Sequence, residues 1–86
     1  MSWLDRYRAA VEEALGRPVD LDAGQEATLL DLARDVAHGT QRTNAPLATF
    51  LAGQLVAGRS AAGGDADDAL AEALQIARRL LADQPG

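Results

Sequence analysis

The sequence predicts one all-α domain, a compact bundle of about four helices within 86 residues. Apolar residues recur three and four positions apart in four segments, which is the spacing of amphipathic helices. Capping residues, glycine or proline bound these segments. No segment alternates between apolar and polar residues as a strand would. We expect helices over residues 2–15, 23–38, 45–58 and 66–82, with residues 83–86 as a frayed tail.

The first predicted helix begins at a capping-box-like pair, Ser2 and Asp5, and ends at Gly16 and Pro18. Its apolar stripe is expected to be buried and comprises Trp3, Leu4, Tyr7, Val11, Ala14 and Leu15. The two aromatic residues of this stripe are four positions apart. We interpret them as core packing in an alanine-rich interior. The alternative is an exposed aromatic anchor for a partner protein.

The second predicted helix is capped by Asp22, with Gln25 in the capping-box position. Gly39 is expected to end it in a left-handed conformation. The residues predicted for its inner face are Leu29, Leu32, Ala33, Val36 and Ala37.

The third predicted helix begins at Thr43 or Asn44, with Pro46 in its first turn, where a missing N–H is harmless. It is apolar on nearly every side, so we expect it to be buried on most of them. Gly53 lowers its helix propensity by about 1 kcal/mol relative to alanine, which suggests close approach of a neighbouring helix. The apolar surface of this helix is larger than a small monomer comfortably covers. Formation of a homodimer is the commonest way to bury the remaining apolar surface.

The fourth predicted helix follows a flexible connection, residues 59–64, and is capped by Asp65. Acidic residues stand in its first turn and arginines near its end, as the helix dipole favours. Its predicted inner stripe comprises Ala66, Ala69, Leu70, Ala73, Leu74, Ala77, Leu80 and Leu81.

Composition excludes several classes of function. The net charge is −5, which argues against nucleic acid or an anionic membrane as partner. There is no cysteine and only one histidine, so neither a disulfide nor a structural zinc site is expected. The longest apolar stretch is too short to span a bilayer, and the start of the chain has no signal-peptide pattern. We therefore expect a cytoplasmic protein without cofactor or metal.

One polar cluster surrounds the end of the second helix and the loop after it. Its candidate ligand-binding residues are Asp31, Arg34, Asp35, His38, Arg42 and Asn44. Asp35 could orient His38 for proton transfer, although a histidine in a last helical turn more often interacts with the helix dipole. Asp31, Asp35 and His38 share a face, but without a fourth ligand they make a weak metal site. The start of the third helix beside Arg42 could bind an anion, as any capped helix start can to some degree. No catalytic residue is predicted.

A resemblance to a known domain family narrows the range of possible functions. The run from Leu30 to Gly39, followed by Arg42 and the segment from Ala45 to Gly53, resembles a small bacterial helical domain family of unknown function. That family is associated with molybdopterin-guanine dinucleotide biosynthesis and occurs alone or after a molybdenum cofactor guanylyltransferase domain. The glycine-rich loop of that enzyme has no counterpart in this sequence.

The resemblance implies a non-catalytic accessory or protein-interaction domain. Its expected partner is the guanylyltransferase or a molybdoenzyme that receives the cofactor, and a homodimer is a further option. The alternative is a small domain that binds an anion, a nucleotide or a pterin through the corner formed by His38, Arg42 and Asn44.

Overall fold

The computed structural model describes residues 2–84, and the predicted class, an all-α bundle of four helices, is confirmed. The helices are α1 (Trp3–Leu15), α2 (Ala23–Gly39), α3 (Asn44–Ala61) and α4 (Ala66–Ala82). No strand occurs within residues 2–84, and no helix there is long and apolar enough to cross a membrane. The end of the predicted tail, residues 85–86, lies outside the described residues.

The starts of α1, α2 and α4 follow the capping signals in the sequence, whereas Thr43, which precedes α3, makes no side-chain cap hydrogen bond. Complete capping boxes form between Ser2 and Asp5 in α1 and between Asp22 and Gln25 in α2. The α4 cap is Asp65, whose carboxylate accepts the N–H of the residue three positions on. Each cap satisfies backbone donors that the first helical turn leaves unpaired.

Helices α2, α3 and α4 pack on one another pairwise and form the core. Its fully buried apolar residues are Leu32, Val36, Ala52, Ala69 and Leu70. Helices α2 and α4 run parallel, because contacts join them at both ends. At one end the Gln25 amide donates to Asp67 (3.0 Å), and at the other the Gln84 amide donates to the Gly39 carbonyl (2.9 Å). The side chain of Gln84, in the predicted tail, thus contacts the end of α2.

The prediction that α1 buries its apolar stripe is wrong. Among the described residues, α1 packs against none of the other three helices and contains no buried residue. A polar cleft of about 500 Å³, lined on the α1 side by Asp5 and Arg8, separates α1 from the N-terminal ends of α2 and α4. The radius of gyration is 13.9 Å, against about 12 Å for a compact domain of this length. Helix α1 thus projects from the bundle.

Helix α3 is buried on one side only, which corrects the prediction for its all-round apolar surface. Ala52 is its buried residue, whereas Leu47, Phe50 and Leu51 are exposed. Its two packed neighbours, α2 and α4, cover about half of the α3 surface, and α1 does not pack on the other half. For the same reason Leu80 of α4 is exposed. Gly53 has no neighbouring atom within 4 Å of an added Cβ, so the expected close approach is absent there.

The close approach of helices occurs at Gly39 instead. Gly39 is the last residue of α2 and is not left-handed; a Cβ there would lie 2.6 Å from a terminal methyl of Leu81. Helix α3 continues three residues beyond the predicted end, through Ala61. A left-handed Gly63 (φ 89°) then ends it, with the Gly64 N–H donating to the Arg59 carbonyl (2.7 Å), as in a Schellman motif.

Candidate functional site

An apolar concave surface lies between α3 and α4, and Leu32 and Val36 of α2 also line it. Two adjoining cavities of about 350 and 520 Å³ form it, and they share Ala48, Leu51, Ala77 and Leu80. We call this surface the α3/α4 groove. Its lining runs from Asn44 to Leu55 along α3 and from Ala73 to Gln84 along α4, about three helical turns. The groove is therefore long and apolar.

The floor and the rim of the groove differ in side-chain size. The floor carries small residues, among them Ala48, Ala52 and Ala77, while Leu51 and Leu80 stand at the rim. Alanine leaves room for a bulky side chain from outside, and exposed leucines lose water contact when such a side chain enters. This arrangement suits an apolar ligand with large side chains, such as one face of a helix.

One end of the groove is polar. Thr40, Asn44 and Gln84 line it, and each donates a hydrogen bond within the protein. The Thr40 hydroxyl donates to the Val36 carbonyl (2.7 Å), and the Asn44 amide donates to the Thr40 hydroxyl oxygen (3.2 Å). These bonds orient the polar side chains at this end of the groove, and each amide keeps a second N–H donor.

Three of the six predicted site residues form an ion-pair chain rather than a pocket. Arg34 contacts Asp31 (3.1 Å) and Asp35 (3.7 Å), and Arg78 of α4 contacts the second oxygen of Asp35 (2.9 Å). Both oxygens of Asp35 thus have arginine partners, and no hydrogen bond joins Asp35 to His38 among the described residues. This cluster links α2 to α4, and its half-exposed pairs contribute little stability individually.

The other three predicted residues do not converge on one pocket. Asn44 lines the polar end of the groove, whereas His38 and Arg42 are exposed on the surface. Within residues 2–84 no group of three histidine or acidic side chains could hold a metal ion. Binding of an anion, nucleotide or pterin at this corner stays a prediction.

A second ion pair closes the opposite end of α3 onto α4. The Arg59 guanidinium donates two hydrogen bonds to the Glu72 carboxylate, at 2.7 and 3.0 Å. These hydrogen bonds, with the charge of Arg59, hold the pKa of Glu72 below its usual range, and they raise the pKa of Arg59. The pair is exposed, so its role is to orient the end of α3.

The whole chain, residues 1–86, matches the family model for a domain of unknown function, DUF6457. The chain belongs to this family. No curated protein and no solved structure matches it. The sequence resemblance also indicated a domain family of unknown function, and to that extent the family match agrees with it.

Most residues of the α3/α4 groove are absent from the predicted site, and only Asn44 is common to both. The available signal was the excess of apolar residues on α3, which pointed to an interface without locating it. The groove also depends on Leu80, which helical spacing alone assigned to the core.

Proposed function

We propose that this protein is a non-catalytic interaction domain that takes up an amphipathic helix in its α3/α4 groove. The observation that carries the proposal is the groove itself, with its alanine floor, its exposed leucine rim and its length of about three turns. Helix-in-groove recognition uses apolar anchors three and four residues apart, which these dimensions accommodate.

The setting that we propose is molybdopterin-guanine dinucleotide biosynthesis in the cytoplasm. The partner would be a molybdenum cofactor guanylyltransferase or a molybdoenzyme that receives the cofactor. Support comes from the sequence resemblance between Leu30 and Gly53, of whose 24 positions ten lie on α3. An acidic surface without a clustered set of ligand donors also favours a protein partner over a phosphate-bearing one.

The test is calorimetric titration of the purified full chain with the guanylyltransferase and, separately, with a molybdoenzyme. We expect Leu51→Asp to weaken binding at least about tenfold, because a carboxylate would be buried in the apolar groove without a partner. Leu30→Asp is the matched control. Leu30 and Leu51 are both 62% exposed, but Leu30 lies on α2 outside the groove. Equal affinities of the two variants would contradict the groove as the binding surface.

Two further outcomes are informative. Leu80→Asp, on the opposite rim, should reproduce the loss seen with Leu51→Asp, and circular dichroism should show unchanged helix content in all three variants. If the wild-type chain binds neither protein, the proposed setting in molybdenum cofactor synthesis is wrong.

A further inference from the structure

Helix α1 carries a second apolar surface that no other helix within residues 2–84 covers. Trp3, Leu4, Tyr7 and Leu15 are between 42% and 69% exposed. The Trp3 and Tyr7 rings stack on each other with centroids 5.2 Å apart, so they present one continuous aromatic face. The chain thus displays two apolar surfaces, this α1 face and the α3/α4 groove.

The two surfaces match in length and in side-chain size. Helix α1 has 13 residues and is about 20 Å long, while the α3 side of the groove, Asn44 to Leu55, extends about 18 Å. The bulky residues are on α1, and the small ones, such as Ala48 and Ala77, are on the floor of the groove. Tryptophan and tyrosine are the side chains that most often anchor an interface.

Within one chain these surfaces are held apart. Helix α1 lies at the end of the bundle where α2 and α4 begin, across the polar cleft from Asp65 to Asp67. The segment after α1 is fixed to it, because the Val19 N–H donates to the Glu12 carboxylate (2.9 Å) and Arg8 pairs with the same carboxylate (3.0 Å). The larger cavity of the groove lies at the other end, beside Gln84. A second copy can bring α1 to the groove without rearranging these contacts.

We infer that α1 of one copy docks in the α3/α4 groove of a second copy, and the reverse, giving a twofold homodimer by helix exchange. The inference rests on the proposed function, since it names the helix that the groove takes up. A partner helix would then have to displace α1.

The exposed area is sufficient for such a dimer. The residues that the exchange would cover are Trp3, Leu4, Tyr7 and Leu15 of α1 and Leu47, Leu51 and Leu80 of the groove. At their observed exposure they offer roughly 540 Å² per chain, taking about 100 Å² for a leucine and about 200 Å² for an aromatic side chain. Two copies would bury roughly 1,100 Å², just above the roughly 1,000 Å² that a specific interface should clear.

The first experiment measures the mass of the full chain by light scattering and sedimentation across a concentration series. We expect about 18 kDa, twice the 9.0 kDa of one chain. The single tryptophan lies on α1, so its emission should shift to shorter wavelength as the dimer forms. Tyr7→Asp and Leu51→Asp should each raise the dimer dissociation constant at least about tenfold, while Leu30→Asp should leave it unchanged. A wild-type chain that stays monomeric at every concentration would overturn the inference.

The second experiment distinguishes exchange from closure of α1 on its own bundle. The chain has no cysteine, so single cysteines can be placed at will. A short bis-maleimide added to a mixture of Tyr7→Cys and Leu51→Cys chains should give a cross-linked dimer, and Leu30→Cys in place of Leu51→Cys should not. If a chain carrying both Tyr7→Cys and Leu51→Cys cross-links only within itself, α1 closes in cis and the inference is wrong.

The two proposals fail differently. If the dimer is absent but Leu51→Asp still abolishes partner binding, helix exchange is wrong and the proposed function stands. If the dimer forms and Tyr7→Asp disrupts it, while Leu51→Asp leaves the affinity for the partner protein unchanged, helix exchange stands and the groove is not the partner site.

Discussion

Helices α1 and α2 resemble each other locally and differ in tertiary contacts. Both begin with a complete capping box, and both carry an apolar stripe at helical spacing. Helix α2 buries Leu32 and Val36 between α3 and α4, whereas α1 buries no residue. Capping and periodicity therefore establish that a helix forms and which face is apolar. They do not establish what covers that face.

The difference divides the protein into two regions of unequal stability. Helices α2, α3 and α4 share one core and should unfold together. Helix α1 adds no buried side chain to that core, so in a single chain it belongs to the low-stability end of the molecule. Contact with a second copy would raise the local stability of α1.

The largest expected contrast comes from truncating one leucine in each region. Leu32→Ala in the core should destabilise the bundle by about 3 kcal/mol, most of the stability expected for a core of this size. Leu15→Ala in α1 should change it by less than about 0.5 kcal/mol, because Leu15 is already exposed. Urea unfolding followed by circular dichroism, at a concentration that keeps the chain monomeric, measures both. Similar losses would mean that α1 packs on the bundle in solution.

The next contrast removes one cap from each region. Asp22→Ala deletes the α2 capping box and should lower the free energy of unfolding by about 1 kcal/mol. Ser2→Ala deletes the equivalent box of α1 and should leave that free energy unchanged while speeding amide exchange within α1. Urea unfolding and hydrogen exchange monitored by NMR provide the two measurements. A global loss in Ser2→Ala would contradict the independence of α1.

Two glycines test packing inside the bundle. Gly53→Ala should stabilise the protein by about 0.5–1 kcal/mol, because the added methyl meets no atom within 4 Å and alanine favours helix. Gly39→Ala should stabilise the protein less than Gly53→Ala does, or should destabilise it, because the added methyl would require Leu81 to move. Thermal unfolding of the two variants side by side checks the order. A larger gain at Gly39 would show that α2 and α4 are farther apart than described.

The smallest effect concerns the ion pair that closes the end of α3 on α4. The pKa of Glu72 should lie below that of an ordinary glutamate, and Arg59→Gln should return it to the usual range. Because the folded pKa is lowered, the stabilisation is present above the unfolded pKa and is lost as pH falls through the folded one. Carboxyl carbon NMR titration measures the shift, with Arg34→Gln as control. An unchanged Glu72 pKa in Arg59→Gln would show that the pair is open in solution.

Helix boundaries were predictable where the signals are local. Asp22, Asp65 and Gly16 act through hydrogen bonds or backbone geometry within a few residues, so the sequence shows them directly. The end of α3 was placed too early, because the flexible connection was assigned from Arg59 onward, whereas the helix continues through Ala61 to the stop at the left-handed Gly63. Burial on α1 and α3 was overestimated because periodicity assumes that every apolar face has a neighbour in the same chain.

The candidate site was predictable only in small part. The sequence singled out polar residues around His38, yet the structure uses Asp31, Arg34 and Asp35 as an ion-pair chain to Arg78. Arg78 is 43 positions beyond Asp35, so its role depends on the parallel packing of α2 and α4. The groove likewise requires α3 and α4 side by side.

By itself the sequence determined four helices, the N-terminal caps of three of them, the acidic surface and the absence of cysteine chemistry. These properties follow from composition and from interactions within one or two helical turns. Only the tertiary structure decided that α1 stands apart, that Gly39 meets Leu81, and that α3 and α4 leave an apolar groove open. Those outcomes depend on which helices share a core, and no single helix encodes that choice.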